Sequence, residues 1–242
     1  LLRGRTAHAY LFTGSRGTGK TSTARILAKA VNCLEPQDGE PCNSCHLCTA
    51  VNEGRALDLI EIDAASNRGI DEIRSIKEKV IFSPAEGKYK VYILDEAHML
   101  TDAAADALLK TLEEPPAHVI FILATTEPHR LPSTIVSRCQ RFDFRRITPS
   151  AIVERLEQIC AAESIEAESA ALHLIARNSG GSLRDAENLL DQAVTSFGTP
   201  LGAEQARLLM GLSTEERVRE LVGQVLTGET SRALVALNSI AA

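Results

Sequence analysis

The segment Gly14-Ser15-Arg16-Gly17-Thr18-Gly19-Lys20-Thr21 carries the residue types needed to hold a phosphate chain, at the spacing G-x-x-x-x-G-K-[ST] with no mismatch. Its glycines let backbone N–H groups curl inward around phosphate oxygens, and a helix beginning where the loop ends adds partial positive charge. Lys20 is expected to reach the β- and γ-phosphates of ATP. The Thr21 hydroxyl is expected to ligate Mg²⁺, and Ser22 completes the cradle. The context fits as well. An apolar run, Ala9–Thr13, precedes the loop, and Ala24, Leu27, Ala28 and Val31 follow it at the spacing of a half-buried helix.

A metal ion and an attacking water both call for carboxylates. Val91-Tyr92-Ile93-Leu94-Asp95-Glu96 supplies two at the end of an apolar strand. Asp95 is expected to hold the Mg²⁺ shell and Glu96 to orient and polarise the water. The letters Asp95-Glu96-Ala97-His98 also occur in a helicase motif, but the arginine-rich motifs such helicases use are missing downstream.

A second chemistry resides in Cys33, Cys42, Cys45 and Cys48, four of the six cysteines within sixteen residues. That ligand type and count suit a tetrahedral Zn²⁺, and four thiolates leave no open position, so such a site is structural. Iron–sulfur ligation is the competing reading. His46 is not counted as a ligand, and Cys139 and Cys160 read as core residues.

These groups need a scaffold, and the hydropathy pattern describes one. His8–Thr13, Leu57–Asp63, Lys90–Asp95, Val119–Thr125 and a weaker Arg141–Phe144 are apolar runs separated by helix-length spacers. They predict an α/β domain over residues 1–147, with a parallel sheet covered on both faces. Residues 148–211 contain no strand-like run. Ile152, Leu156, Ile159 and Cys160 share one helical face, and Ala186, Leu189, Leu190, Ala193, Val194 and Phe197 share another. The proline-bearing joint Ile147-Thr148-Pro149 marks the boundary. Thr214–Leu226 and Ser231–Ile240 predict two more helices, the start of a truncated third domain over 212–242.

The composition is that of a globular protein, 44% hydrophobic and 24% charged. No run of eighteen apolar residues and no leader pattern appear, so the expected location is cytoplasmic, with no membrane contact. Residues 1–150 hold 19 basic and 19 acidic residues, while the rest hold 7 and 13, which accounts for the whole net charge of −6. An acidic total argues against wholesale wrapping of nucleic acid but allows a local basic track.

Read in order, the P-loop, the cysteine knuckle, Asp63-Ala64-Ala65-Ser66, Asp95–Leu100, Ala107–Pro116, Ala124-Thr125-Thr126-Glu127-Pro128 and Ser137-Arg138-Cys139 resemble the tau/gamma family of bacterial DNA polymerase III subunits. These are the AAA+ ATPase motors of the sliding-clamp loader. The resemblance runs over nearly the whole chain. It implies a RecA-like AAA+ domain, a helical lid and a helical collar for oligomerisation. It implies ATPase activity within the polymerase III holoenzyme, separate from the polymerase active site. Implied partners are delta, delta prime and further tau/gamma copies, the sliding clamp, and primer–template DNA.

The resemblance also assigns residues. Thr126 matches sensor 1, Arg138 the arginine finger that reaches a neighbouring subunit's ATP, and Arg184 sensor 2. For Arg184 the sequence adds a hint of its own. Ser182 is a good N-cap, so Arg184 falls in a first helical turn, where the helix dipole disfavours a cation unless a phosphate is near. Arg74, Lys110 and Arg130 are candidate DNA contacts. Family members carry a further adenine-binding stretch upstream of the P-loop strand, and the stretch from Leu1 to the P-loop is expected to be too short to include it. A non-hydrolysing stator subunit has no need of Lys20, Thr21, Asp95 and Glu96, and the cysteine knuckle sets the chain apart from branch-migration motors.

Overall fold

Apolar runs with buried side chains on both faces form the centre of a five-stranded parallel sheet. The computed structural model describes residues 6–67, 69–211, 221–230, 232–234 and 237, with the side chains of 70–72 and 74 outside that description. The chain divides into two compact units, Leu1–Arg145 and Arg146–Ala242.

The first unit runs β1 (Ala9–Gly14), α1 (Lys20–Asn32), α2 (His46–Asn52), β2 (Leu59–Asp63), α3 (Ile70–Val80), β3 (Lys90–Asp95), α4 (Asp102–Glu113), β4 (Val119–Thr125), α5 (Ser133–Val136) and β5 (Gln140–Phe144). Single 3-10 turns stand at Ala97–Met99 and Pro128–Arg130. The strand order is β2-β3-β4-β1-β5, every pair parallel. Alternation along the central strands feeds two cores. Leu11, Tyr92, Leu94, Phe121 and Leu123 pack with Ile73, Ile76, Leu108 and Leu112 of α3 and α4. Tyr10, Phe12, Val91, Ile93, Ile120 and Ile122 pack with Ala24, Ala28 and Val31 of α1. This is the α/β arrangement that the runs predict, with helices on both faces.

The ladder sets the levels of the strand ends. Thr13 lies beside Thr125 on one side and Asp143 on the other, and Leu94 lies beside Leu123. The residues that follow β1, β3 and β4 therefore emerge on one edge, where ligands of open parallel sheets bind.

One strand begins later than its hydropathy predicts. The run from Leu57 enters the sheet only at Leu59, with Leu57 67% exposed. The intervening Asp58 is buried, and its carboxylate accepts the backbone N–H groups of Ala85 (2.7 Å), Glu86 (2.8 Å) and Gly87 (2.7 Å). The residues before the strand are thus committed to closing the loop ahead of β3.

The second unit holds α6 (Pro149–Glu163), α7 (Ser169–Asn178), α8 (Leu183–Phe197) and α9 (Ala203–Leu209). Thr148 caps α6 with Pro149 in its first turn, and Ser182 caps α8 by accepting the Asp185 N–H at 3.2 Å. Ile152, Leu156, Ile175, Ala186, Leu190 and Leu201 form its core. Of the two helices expected after residue 213, 221–226, 230, 232–234 and 237 are helical. Residues 214–220, 231, 235, 236 and 238–240 lie outside the described residues. No described helix is long and apolar enough to cross a membrane.

The Asp58 cage carries a pH signature. Burial alone would raise its pKa, but the three amide donors, with Lys90 assisting, overcome burial and leave it below the ordinary carboxylate value. A depressed folded-state pKa adds stability that is complete above the unfolded value, about 4, and is lost as pH falls through the folded value. Asp58→Asn is expected to cost on the order of 1–3 kcal/mol at neutral pH. It should also flatten the fall in stability on the acid side, measured by urea unfolding at pH 7 and below pH 4.

Candidate nucleotide site

The loop after β1 has the backbone that a phosphate cradle requires. Gly14 takes φ 145° and Gly19 φ 92°, conformations side chains resist. At Gly14 there is a steric reason too: a Cβ there would stand 2.2 Å from the carbonyl oxygen of Phe144 in β5. Thr18 closes the loop by donating to the Ser15 carbonyl at 2.8 Å, while Ser15 and Arg16 are exposed. The helix starts at Lys20, and the Thr23 N–H bonds the Gly19 carbonyl at 2.8 Å. Ser22 lies exposed in that first turn.

Lys20 is 6% exposed, and its ammonium donates to the carbonyls of Gly14 (2.9 Å) and Ser15 (2.8 Å). Burial lowers its pKa, and the charges of Glu96 and Asp95 partly oppose this. Thr21 Oγ1 donates to Asp95 Oδ2 at 2.7 Å, joining residues 74 apart in sequence. The other Asp95 oxygen accepts the Glu96 N–H at 2.9 Å. Glu96 is in the left-handed region, φ 46°, ψ 44°, which is uncommon for a residue with a side chain and is found where structure over-determines it. Thr126, one residue past β4, donates to Glu96 Oε2 at 3.2 Å. The hydroxyl and carboxylate oxygens of Thr21 and Asp95 are hard donors of the kind that Mg²⁺ takes, so the residues fit that ion.

Arg138 is placed elsewhere. It precedes β5 and donates to Glu113 Oε1 and the Thr134 carbonyl, both at 2.7 Å. Asp95 ends β3 and Glu96 follows it, whereas Arg138 lies before the N-terminal end of β5. The five residues of β5 separate those levels by about 16 Å. Arg184 is exposed at the second position of α8 in the other unit. The DNA candidates stand on three separate elements: Arg74 in α3, Lys110 exposed in the last turn of α4, and Arg130 in the turn after β4, 3.5 Å from Glu127.

The cysteine knuckle assembles around α2. Cys33 ends α1, Cys45 caps α2 and Cys48 lies in its first turns. The four Sγ atoms lie within 4.8 Å of one another. A tetrahedral zinc with Zn–S of about 2.3 Å needs sulfurs about 3.8 Å apart, so small side-chain movements suffice and the donor set fits. The Cys42 N–H points to Cys33 Sγ and the Cys45 N–H to Cys42 Sγ, both at 3.3 Å. The Ser44 hydroxyl, aided by backbone donors, lowers the Cys42 pKa to about 6, while burial pushes Cys48 up to about 12. Cys139 and Cys160 pack in the two cores.

His98 and Glu127 carry no site role in the sequence reading, although both fall within its motifs. His98 is 6% exposed beside Glu96, and Glu127 stands on its far side. The only available signal was position: His98 follows Glu96 by two residues, and Glu127 directly follows Thr126.

A parallel sheet of this order, with a P-loop after β1 and an Asp-Glu pair after β3, defines a RecA-like P-loop domain of the AAA+ ATPase class. The branch-migration motor RuvB of Thermotoga maritima shares the fold, with a TM-score of 0.61 at 19% identity over 93% of this chain and 70% of that one. A family model described as DNA polymerase III, delta subunit, matches residues 1–148, and one described as the clamp loader subunit's ATPase lid domain matches residues 151–199. DNA polymerase III subunit tau of Bacillus subtilis is 53% identical over 240 residues, 99% of this chain and 43% of that protein. The Escherichia coli subunit tau is 44% identical over 239 residues, 99% of this chain and 37% of that protein. The chain belongs to the bacterial DNA polymerase III tau/gamma family, and it spans less than half the length of these two relatives.

Gly14→Ala places a methyl group against the Phe144 carbonyl in a conformation that alanine resists. It is expected to destabilise the first unit by about 1–3 kcal/mol and to weaken nucleotide binding. Thermal unfolding and titration with a fluorescent ATP analogue would show both.

Proposed function

We propose that this chain is the ATP-binding and ATP-hydrolysing part of a clamp-loader motor subunit, in which the nucleotide cycle drives loading of the sliding clamp onto primed DNA. The observation that carries this reading is the 2.7 Å bond between Thr21 and Asp95, which joins the phosphate loop to the acidic strand end beside Glu96. Loop amides from Gly14 to Ser22 would bind the phosphates, with Lys20 leaving its two carbonyls for phosphate oxygens. Thr21 and Asp95 would hold Mg²⁺, which when bound would supply positive charge against the charge that develops on the phosphates. Glu96 would orient a water and draw off its proton. The water oxygen bonds the γ-phosphorus as the β–γ bridging bond breaks, leaving ADP and phosphate. Thr126 steadies Glu96 in this scheme.

Arg138 lies too far from this chain's own loop to serve it, and its role is that of a finger for a neighbouring subunit's ATP. Arg184 is assigned to a phosphate as sensor 2. Residues 1–147, 148–211 and 212–242 are taken as nucleotide-binding, lid and collar domains. Delta, delta prime and further tau/gamma copies are the partners in this reading, with Arg74, Lys110 and Arg130 contacting the primer–template backbone. Cys33, Cys42, Cys45 and Cys48 are assigned to a structural Zn²⁺.

Lys20→Ala in the full-length subunit, assembled with its partners, is expected to reduce ATP affinity and abolish turnover. Unchanged binding and hydrolysis would overturn the motor reading. Metal analysis of freshly purified protein should find about one zinc per chain, and chelation should lower the unfolding temperature. A metal-free chain of unchanged stability would remove the cysteine assignment.

A further inference from the structure

A buried imidazole stands behind Glu96, unused by the chemistry above. His98 occupies the turn Ala97–Met99 and is surrounded by three oxygens. Thr125 Oγ1 lies 3.0 Å from Nδ1, Glu96 Oε2 3.5 Å from the same nitrogen, and Glu127 Oε1 3.4 Å from Nε2. Thr125 is a firm anchor. It is the last residue of β4, has no exposed surface, and accepts the Glu127 N–H at 3.0 Å. The ring is therefore pinned to the central sheet along one edge and faces Glu127 along the other.

The two nearest groups to the Glu96 carboxylate gather at the same atom. Thr126 donates to Oε2, and the His98 nitrogen stands by Oε2. Among the described residues none donates to Oε1. A hydrogen bond from Thr126 and a close-packed imidazole at one oxygen orient the carboxylate and leave the other oxygen to receive a proton. Orientation of this kind is worth large factors in rate, since a displacement of about 1 Å can cost about a hundredfold.

We propose that His98 is a positioning residue for hydrolysis: held by Thr125 and Glu127, it fixes Glu96 through Oε2 and reserves Oε1 for the attacking water. The proposal rests on the reading of Glu96 as the residue that polarises that water. It assigns the work to the Nδ1 edge, and this separates two conservative replacements. The amide nitrogen of asparagine falls near the Nδ1 position, whereas that of glutamine falls near Nε2.

The test is steady-state ATP hydrolysis by the full-length subunit assembled with its partners. His98→Ala is expected to lower kcat about ten- to a hundredfold with KM and nucleotide affinity within about twofold of the parent. His98→Asn should recover most of the loss and His98→Gln little of it. In a Glu96→Gln background, His98→Ala should add nothing, because groups acting as one unit are not additive. An unchanged kcat, a parallel loss of kcat and nucleotide affinity, or equal rescue by both amides would overturn the proposal. If His98→Ala does not fold, His98→Asn and Glu127→Gln carry the same comparison of kcat with KM, and parallel losses in both would overturn it. Glu96→Gln alone keeps the two readings apart. If it hydrolyses ATP normally, the assignment of Glu96 fails; if it is inactive while His98→Ala is normal, only the role of His98 fails.

Discussion

A parallel ladder forces every strand to end on the same edge, and the strand order decides which ends are neighbours. Here β1 sits between β4 and β5, and β3 sits against β4. Gly14, Asp95 and Thr126 follow or finish those strands, so they converge although they are spread across more than a hundred residues. The central strands are apolar on both faces, so burial alone would not penalise a slip of register. Contacts at the strand ends supply the missing specificity. Gly14 lies against the Phe144 carbonyl where no Cβ fits, Thr13 hydrogen-bonds Asp143, and Thr21 bonds Asp95. The residues that make the site thus also define the register that creates it.

Gathering a buried lysine and two acids at one edge has an electrostatic cost. Lys20 meets it with two carbonyl partners from its own loop and with the nearby Asp95 and Glu96 charges. Glu96 adds local strain of about 1–3 kcal/mol through its left-handed backbone. That conformation persists because Asp95 accepts the Glu96 N–H and the next residue, Ala97, is fully buried. From this backbone the glutamate side chain reaches Thr126 beyond the end of β4 and lies beside His98.

Much of this was legible in the residues. The P-loop, the acidic strand end and the cysteine knuckle combine residue type with fixed local spacing, so one segment suffices to read each. The Ser182 cap and the first-turn position of Arg184 were equally local and are seen in α8. What was illegible depended on contacts across the sheet. Asp58 looks like part of an apolar run, and only the amides of 85–87 explain why it leaves the strand. His98 looks like a letter of a helicase motif until Thr125 and Glu127 close around it. Position along a strand was also hidden: Thr126 and Arg138 are twelve residues apart, yet one touches Glu96 and the other lies at the opposite edge.

That last separation has a consequence for assembly. The ladder that gathers Thr21, Asp95 and Glu96 carries the start of β5 away from them by about 16 Å, and the Glu113 carboxylate holds Arg138 there. Arg138 therefore stands at the end of β5 opposite the loop and the acids. Glu113 holds the guanidinium at 2.7 Å at little energetic gain, since exposed ion pairs are worth about 1 kcal/mol or less. In the reading of Arg138 proposed above, a neighbouring subunit's polyphosphate, with more charge than one carboxylate, displaces Glu113. A weak internal pair of this kind suits the finger role proposed for Arg138, which needs an ordered guanidinium that can exchange one anion for another.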